Sequence, residues 1–286
     1  MRLGNNLMAN NIMKNYKVNI RANSKSMEKI SSGKNINGAK DSPIKIGKYD
    51  TMKSRLRSLE SAAKNVQDSI SFIQVADSAL GEIDSALNRM NELTVQASTD
   101  LLNENDKENI RLEIESLKEH IDAIAETTKF NGIKVIGNEY VANNKYPYNT
   151  SVQIGSEEGE VMNLPMFNFT LSALKDENGK KLADISSDTI NDCKEAIKTI
   201  NDCKDAVSKA RGKYGALQNV LENTYESIES TSLNVTETVS NIGDADIALN
   251  MIELSKTQLL NDTSLLLLKQ TNEFPTQVLN ILGNMK

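Results

Sequence analysis

A long stripe of apolar residues is the strongest constraint on the fold. Its members recur at three- and four-residue spacings, the pattern of a helix that buries one face. They are Leu56, Leu59, Ala63, Val66, Ile70, Ile73, Leu80, Ile83, Leu87, Met90 and Ala97. Only Asp77 and Thr94 break the stripe, and no Pro interrupts it. The stripe predicts one helix of about 45 residues, roughly 68 Å long.

Two further stripes follow along the chain. The second consists of Ile110, Ile114, Leu117, Ile121 and Ile124. The third consists of Ile200, Cys203, Val207, Ala210, Tyr214, Leu217, Leu221, Thr224, Ile228, Thr231, Val235, Thr238 and Ile242. Each stripe is narrow, so each helix needs partner helices along its length. The sequence therefore predicts a mainly α fold, a long antiparallel coiled-coil bundle.

Residues 130–185 have a different sequence pattern. They contain `FNGIKVIG`, which predicts a turn followed by a strand, and `SVQIGSEEGEVMNLPMFNF`, which predicts a β-hairpin. In that hairpin Val152 and Ile154 alternate before the turn, and Val161 and Met162 follow it. Few residues here could form a second core, so we expect a small β-hairpin region that caps the bundle.

The two ends of the chain carry seams of their own, which predict that the termini pair as a second coiled coil. The seam predicted for the N-terminal arm is Ile12, Tyr16, Ile20 or Asn19, Asn23, Met27 and Ile30. The seam predicted for the C-terminal arm is Leu249, Ile252, Leu259, Thr263 and Leu266.

The C-terminal arm holds more apolar surface than one partner helix can cover. Its ten large aliphatic residues are Leu259, Leu260, Leu265, Leu266, Leu267, Leu268, Val278, Leu279, Ile281 and Leu282. Four consecutive leucines point around most of a helix circumference. Full burial of the ten would contribute on the order of 15–30 kcal/mol, as an upper bound. We therefore expect other copies of the chain to cover these residues in an open, helical polymer.

The charge distribution argues against several partners. The net charge is −6, yet residues 1–60 hold 13 Lys and Arg against 4 Asp and Glu. A basic segment can bind nucleic acid, but aromatic residues for base stacking make up only 4% of the chain. No stretch reaches the roughly 20 apolar residues of a membrane-spanning helix. We expect neither nucleic-acid binding nor membrane insertion, and the sequence shows no signal-peptide pattern.

Catalytic and metal chemistry have little support in the residues. The single histidine, His120, cannot supply a zinc-protease motif. Cys193 and Cys203 lie ten residues apart on a predicted helix, too far for a disulfide, and are interpreted as small buried hydrophobes. Asp244 and Asp246 are interpreted as helix-capping residues. We expect no enzyme activity and no cofactor.

At both ends the motifs resemble bacterial flagellin, the subunit of the flagellar filament. The N-terminal resemblance lies in `MRLGNNL`, `SMEKISSGKNINGAKDSP`, `QDSISFIQVADSALGEIDSALNRMNELTVQAS` and `TTKFNGIKV`. The C-terminal resemblance lies in `KYGALQNVLE`, `NIGDADIALNMIELSKTQLL` and `QTNEFPTQVLNIL`. It covers about residues 1–137 and 190–286, and the large surface domains of many flagellins are absent.

The resemblance implies an extracellular filament subunit that serves motility. Residues 1–42 and 246–286 would form the inner core domain, with Ile12, Tyr16, Ile20, Met27 and the ten C-terminal aliphatics in its assembly contacts. Residues 43–185 and 186–245 would form the outer core domain. The implied partners are further copies, an export chaperone at the C-terminal helices, the flagellar type III export apparatus, and the filament cap and hook–filament junction proteins.

The family also has a surface that an innate immune Toll-like receptor binds. The matching positions here are Asn88, Arg89, Leu93 and Glu113. Asn88 replaces the usual Gln, and Asn91 stands where Arg is common. The alternative interpretation is that Leu93 packs near the bundle and that Arg89 and Glu113 form a solvated ion pair.

One loop departs from the family pattern. `GAKDSPIKIGKYDTM` carries Lys40, Lys45 and Lys48 and the bulky Ile44 and Ile46, where small and acidic residues are usual. One explanation is a flagellin whose partners carry matching acids. The other is a hook–filament junction protein, which `SGKNINGAKDSPI` also resembles.

Overall fold

The computed structural model describes residues 6–99, 103–137, 141, 144, 147–175, 181–184 and 193–283. Within them the chain forms five α-helices and two β-hairpins. The helices are α1 (Leu7–Ser32), α2 (Pro43–Ala97), α3 (Glu104–Thr127), α4 (Cys193–Gly243) and α5 (Ile247–Gly283). The strands are β1 (Lys129–Phe130), β2 (Ile133–Lys134), β3 (Tyr148–Gln153) and β4 (Val161–Met166), and a short 3₁₀ turn spans Leu182–Asp184. The predicted mainly α fold with a small hairpin region is confirmed.

The chain divides into two compact units. One consists of residues 57–232, here called the bundle unit, and the other of residues 1–56 and 233–286, here called the arm unit. Helices α2 and α4 contribute to both. None of the helices over the described residues is long and apolar enough to cross a membrane.

The core of the bundle unit lies along the three predicted stripes. Ile110, Ile114, Ile121 and Ile124 are buried on α3, and the α4 stripe is buried from Ile200 to Tyr214. On α2 the buried positions include Leu59, Val66, Ile73, Leu80, Ile83, Leu87 and Met90. The α2 stripe passes through Ala62 and Ser69 rather than the predicted Ala63 and Ile70. The prediction was therefore wrong by one position at two turns, because small residues allow a close approach at either side of the seam.

The two polar breaks in the α2 stripe have local partners. Thr94 is buried and donates its hydroxyl to the Met90 carbonyl, 2.7 Å away. Asp77 accepts a hydrogen bond from the Arg211 guanidinium at 2.8 Å. The carboxylate of Asp77 raises the pKa of Arg211, because it favours the charged form. Helix α2 therefore continues through both positions without an unsatisfied polar group.

The first hairpin closes with a two-residue turn. Asn131 and Gly132 have φ angles of 51° and 82°, both in the region that a type I′ turn requires. Phe130 pairs with Ile133 across it. Glycine accommodates such an angle without steric cost, so the dipeptide fixes this reversal. The predicted turn followed by a strand is confirmed.

The second hairpin attaches to α4 through aromatic residues. Strands β3 and β4 pair antiparallel from Tyr148–Met166 to Gln153–Val161, so Ile154 belongs to the turn and not to a strand. Just after β4, Phe167 packs edge-to-face on Tyr214 with ring centroids 5.5 Å apart. The Tyr214 hydroxyl donates to the Pro165 carbonyl at 2.9 Å. Burial raises the pKa of this phenol well above its ordinary value.

Helices α1 and α5 pair in the arm unit, as predicted, and they run antiparallel. The seam departs from the predicted one at Met27 on α1 and at all five predicted positions on α5. On α1 the residues turned inward are Ile12, Tyr16, Asn19, Asn23, Ser26 and Ile30. Met27 is 58% exposed, while its neighbour Ser26 is buried. Ile20 is also exposed, so the seam follows Asn19. The seam on α1 therefore combines apolar residues such as Ile12 and Ile30 with small and polar residues such as Ser26 and Asn23.

Candidate assembly surfaces

The inward face of α5 is largely polar. It repeats at three- and four-residue spacings and consists of Asn250, Leu254, Thr257, Asn261, Ser264, Leu268, Thr271, Pro275 and Val278. Asn23 donates its side-chain amide to the Thr257 hydroxyl at 3.3 Å. Asn6 donates to the Thr271 carbonyl at 3.0 Å. The two arms are therefore held in register by hydrogen bonds as well as by packing.

The outward side of α5 carries its large apolar residues. This leucine face consists of Leu249, Met251, Ile252, Leu259, Leu260, Leu265, Leu266, Leu267 and Phe274, all exposed. Leu266 is 69% exposed. The predicted seam through Leu249, Ile252, Leu259, Thr263 and Leu266 is wrong, since all five residues face away from α1. An apolar pattern that surrounds a helix cannot identify which side meets the intramolecular partner.

The residues predicted for assembly have two kinds of environment. Ile20, Met27, Leu259, Leu260, Leu265, Leu266 and Leu267 are exposed. Ile12, Tyr16, Leu268 and Val278 are half-buried in the seam. The side chains of Leu279, Ile281 and Leu282 lie outside the described residues. The surface to be covered is therefore concentrated between Leu249 and Phe274.

Sequence reasoning missed part of this surface. On α1, Leu7, Met8, Met13 and Val18 are exposed as well. They lie between the seam positions, so the search for one three- and four-residue stripe passed over them. A count of all large apolar side chains on the arm would have found them.

A short backbone clasp joins the ends of the two arms. The Asn35 amide donates to the Gly243 carbonyl at 2.7 Å, and the Ala245 amide donates to the Gly33 carbonyl at 3.0 Å. These bonds flank an antiparallel bridge between Lys34 and Asp244. The Tyr49 ring lies so close to Gly243 that a Cβ atom there would overlap it. A residue without a side chain is therefore required at this position.

Three aspartates of the arm unit have structural partners. Asp246 accepts a hydrogen bond from the Leu249 amide at 3.0 Å, which confirms the predicted cap of α5. Asp244 instead accepts from the Ser240 hydroxyl at 2.6 Å. Farther along, the hydrogen-bonded ammonium group of Lys25 holds the pKa of Asp41 below its ordinary value of 3.8.

The residues matched to the receptor surface do not share one exposed face. Arg89 donates from Nε and Nη2 to one oxygen of Glu113, at 2.9 and 2.8 Å. Asn88 is bonded to Asp84 at 3.3 Å. Leu93 is only 2% exposed, so it belongs to the core of the bundle unit. This geometry agrees with the alternative of an exposed ion pair beside a packed leucine.

A groove in the bundle unit lies between α2 and the two hairpins. Its volume is 370 Å³, and its walls include Phe72, Phe130, Leu164 and Met166. Phe72 and Phe130 pack edge-to-face with centroids 5.9 Å apart. Asn65 donates to the Gln153 carbonyl at its rim. Across the described residues no three His, Cys, Asp or Glu side chains cluster as metal ligands would.

Comparison with known proteins identifies the family. The bacterial flagellin N-terminal helical region matches residues 4–140, and the bacterial flagellin C-terminal helical region matches residues 197–282. The chain belongs to the bacterial flagellin family. A flagellin of Halalkalibacterium halodurans is 35% identical over 99% of this chain and 100% of its own length. A flagellin of Bacillus subtilis is 34% identical over 99% of this chain and 100% of its own length.

A solved structure shares the flagellin fold at lower identity. It is a Vibrio parahaemolyticus protein described as a flagellar hook-associated protein, and it superimposes with a TM-score of 0.61. The match covers 71% of this chain and 100% of that one, at 14% sequence identity. Such a likeness concerns the fold alone. The full-length flagellin relatives favour a filament subunit over the hook–filament junction interpretation.

Proposed function

We propose that this flagellin is a structural subunit that polymerises into the extracellular filament of the bacterial flagellum. The leucine face of α5 is the observation that carries the proposal. Those side chains are exposed although α1 already occupies the inward side of the helix. Exposed apolar surface of this extent is typical of an interaction site. Full-length similarity to flagellins indicates that the partners are further copies of the chain.

The polymer gains free energy by covering the leucine face. Each large aliphatic side chain contributes about 1.5–3 kcal/mol when it passes from water into an apolar contact. Among the described residues of the arm unit, α1 covers the inward side of α5 and leaves the leucine face exposed. Because the same surface is repeated on every copy, a head-to-tail contact adds subunits without limit. The activity is therefore assembly, and the relatives with this sequence pattern are likewise structural proteins.

The subunit divides into an inner and an outer filament layer, according to whether its apolar surface is exposed or already covered within one copy. Residues 1–42 and 246–286 form the inner core domain, in which arms from many copies bury their leucine faces. Residues 43–185 and 186–245 form the outer core domain, whose apolar seams are already covered within one copy. The clasp between Lys34 and Asp244 supports a boundary near both ends of the arms.

Before assembly the leucine face needs a temporary cover. An export chaperone that binds residues 247–286 would supply it, and the flagellar type III apparatus would then export the subunit to the filament cap. Growth would begin on the hook–filament junction proteins, which offer a matching end. The exposure of Leu259, Leu265 and Leu266 in the isolated chain supports a chaperone contact at this helix.

Recognition by an innate immune receptor is limited to the exposed part of the predicted surface. Asn88, Arg89 and Glu113 remain accessible, whereas Leu93 would have to leave the core of the bundle unit. Arg89→Ala tests this proposal in a receptor reporter assay. Unchanged signalling would assign the Arg89–Glu113 pair to structural support alone.

Assembly is tested by electron microscopy of the purified chain after salting-out. We expect filaments with a central channel. A chain truncated after Asp246 lacks α5 and should remain a helical monomer. The triple substitution Leu265→Ser, Leu266→Ser and Leu267→Ser should also prevent assembly while the far-ultraviolet circular dichroism stays near that of the wild type. Leu112→Ser, on an exposed site of α3, is the matched control and should assemble normally.

Two results would contradict the proposal. One is a truncated chain that polymerises as well as the intact chain. The other is an intact chain that stays monomeric under every salting-out condition, with its C-terminal arm protected from proteolysis.

A further inference from the structure

Two oppositely charged surfaces of the chain have no part in the filament contacts proposed above. Residues 34–57 contain seven Lys and Arg and two Asp. Residues 214–255 contain seven Asp and Glu and no Lys, Arg or His. A charge run is usually a solvated face, but each of these two also carries an exposed aliphatic side chain among regularly spaced charges.

The acidic residues of α4 lie on one face of the helix. This acidic stripe consists of Glu222, Glu226, Glu229, Leu233 and Glu237, at spacings of three and four residues. All five residues are exposed. Leu233 is 67% exposed and has a glutamate one helical turn before it and another one turn after it.

The basic residues around the start of α2 repeat this arrangement with the opposite sign. This basic patch consists of Lys40, Ile44, Lys45 and Lys48, and all four are exposed. Ile44 is 77% exposed, with Lys40 four residues before it and Lys48 four residues after it. Over the parts of the chain that the structure describes, none of the three lysines forms an ion pair.

The two surfaces are complementary in charge and in apolar content. Each carries one exposed aliphatic side chain with charges four residues to either side. Within α4, and from Ile44 to Lys48 in α2, that spacing is about one helical turn, or 6 Å. If Ile44 of one copy met Leu233 of another, Lys40 and Lys48 would lie within reach of Glu229 and Glu237. Opposite charges at the rim of an apolar contact fix its register and exclude wrong pairings. The same contact repeated from copy to copy is heterologous, as an open filament requires.

We propose that the basic patch of one subunit binds the acidic stripe of a neighbouring subunit, with Ile44 against Leu233 at the centre. This contact rests on the proposed filament function and names a second copy as the occupant of both surfaces. It also gives the basic loop, which departs from the usual flagellin pattern, its matching acids on the same chain.

Reversal of the charges on either surface tests this contact. Full-length protein is polymerised onto sonicated filament fragments at low ionic strength. The basic-patch variant is Lys40→Glu with Lys48→Glu, and the acidic-stripe variant is Glu229→Lys with Glu237→Lys. Each alone should raise the subunit concentration left unpolymerised by about tenfold, because two attractions become repulsions. Added salt should reduce the difference.

Variants that restore opposite charges across the contact distinguish a direct contact from a general effect of charge on assembly. An equimolar mixture of the two variants should polymerise to within about threefold of the wild type. The reversed, acidic patch of one variant then meets the reversed, basic stripe of the other, so opposite charges face each other again. The chain with all four substitutions should recover likewise. The controls Lys64→Glu with Lys209→Glu, and Glu60→Lys with Glu119→Lys, reverse exposed charges elsewhere and should leave assembly unchanged.

The outcomes separate this contact from the proposed function. Wild-type filaments with unaffected reversal variants would overturn the contact and leave the filament role intact. Loss of assembly that neither mixing nor the fourfold substitution restores would also overturn it, because the two surfaces would then have different partners. Equal losses in the control variants would attribute the effect to net charge. Wild-type protein that forms no filament would overturn the proposed function and the contact together.

Discussion

The bundle unit and the arm unit share the three- and four-residue repeat of the α-helix, but they differ in which residues lie on the inward face. In the bundle unit the inward positions of α2, α3 and α4 are mostly Leu, Ile, Val, Met and Ala, and most charged residues lie on the outward positions. In the arm unit the inward positions include Asn19, Asn23, Thr257 and Asn261, while most leucines of α5 face outward. The helical repeat therefore identifies a face but not the molecule that covers it. One copy buries the apolar seams of its bundle by itself, whereas its leucine face stays exposed.

The largest effect should follow from a cavity in the bundle unit. Leu87→Ala removes a fully buried side chain from the α2 seam and should lower the free energy of unfolding by about 2–5 kcal/mol. Urea denaturation of the monomer measures it. Leu266→Ala removes the same atoms from the leucine face and should change monomer stability by less than about 0.5 kcal/mol. Comparable losses in both variants would break the contrast between the units.

The next largest effect concerns the hydrogen bond of the buried Tyr214 hydroxyl, which stabilises the bundle unit alone. Tyr214→Phe keeps the packing on Phe167 but leaves the Pro165 carbonyl without its donor. The free energy of unfolding should fall by about 1–3 kcal/mol, the usual result when a buried acceptor loses its partner. Urea titration at neutral pH measures the difference, with the exposed Tyr148→Phe as control. Equal stability in the two variants would show that the hydrogen bond contributes nothing.

The same phenol predicts an alkaline dependence. The folded protein raises the pKa of Tyr214, so its contribution is fully present below the unfolded value of about 10 and is lost as pH rises through the higher folded value. The urea midpoint of the wild type should therefore fall more between pH 9 and about 11 than that of Tyr214→Phe. Parallel midpoints for the two proteins would contradict this origin.

A smaller effect of opposite sign is expected in the arm seam. The Asn261 side-chain oxygen is buried and has no hydrogen-bond partner among the described residues. Asn261→Leu should stabilise the pairing of α1 and α5 by about 1 kcal/mol, since it removes an unsatisfied polar atom. Hydrogen exchange of the α5 amides measures this gain. Asn250→Leu, where the amide donates to the Asp246 carbonyl, is the control and should not stabilise the arms.

The smallest effect concerns the exposed ion pair beside the clasp. Because Lys25 lowers the pKa of Asp41, the pair contributes above the unfolded value of about 3.9 and is lost as pH falls through the lower folded value. Carboxyl NMR titration should give an Asp41 midpoint below 3.8 in the wild type. In Lys25→Ala the midpoint should move upward. An unchanged midpoint would exclude Lys25 as the cause.

Sequence reasoning located the bundle because there the apolar residues occupy one face and polar residues fill the rest. It also located the first turn and the strand after it, since Asn131 and Gly132 allow few other turns. It failed on the seam of the C-terminal arm, where Leu265–Leu268 surround the helix and no face is distinguished by polarity. Leu93 was assigned to a receptor surface by analogy, although its position continues the buried α2 stripe from Met90 to Ala97. The α5 side of the arm seam includes the polar residues Asn250, Thr257 and Asn261, which carry no apolar signal.

The clasp and the hydrogen bond from Asn6 to Thr271 bring together segments from opposite ends of the polypeptide. A chain that emerges amino end first leaves α1 without its partner until the final helix is available. Any copy that stops early thus lacks both the inward support of α1 and the apolar side that neighbours would bind. Stable pairing of α1 therefore has to wait until residues 247–283 have been made, which places it late in the folding of each copy.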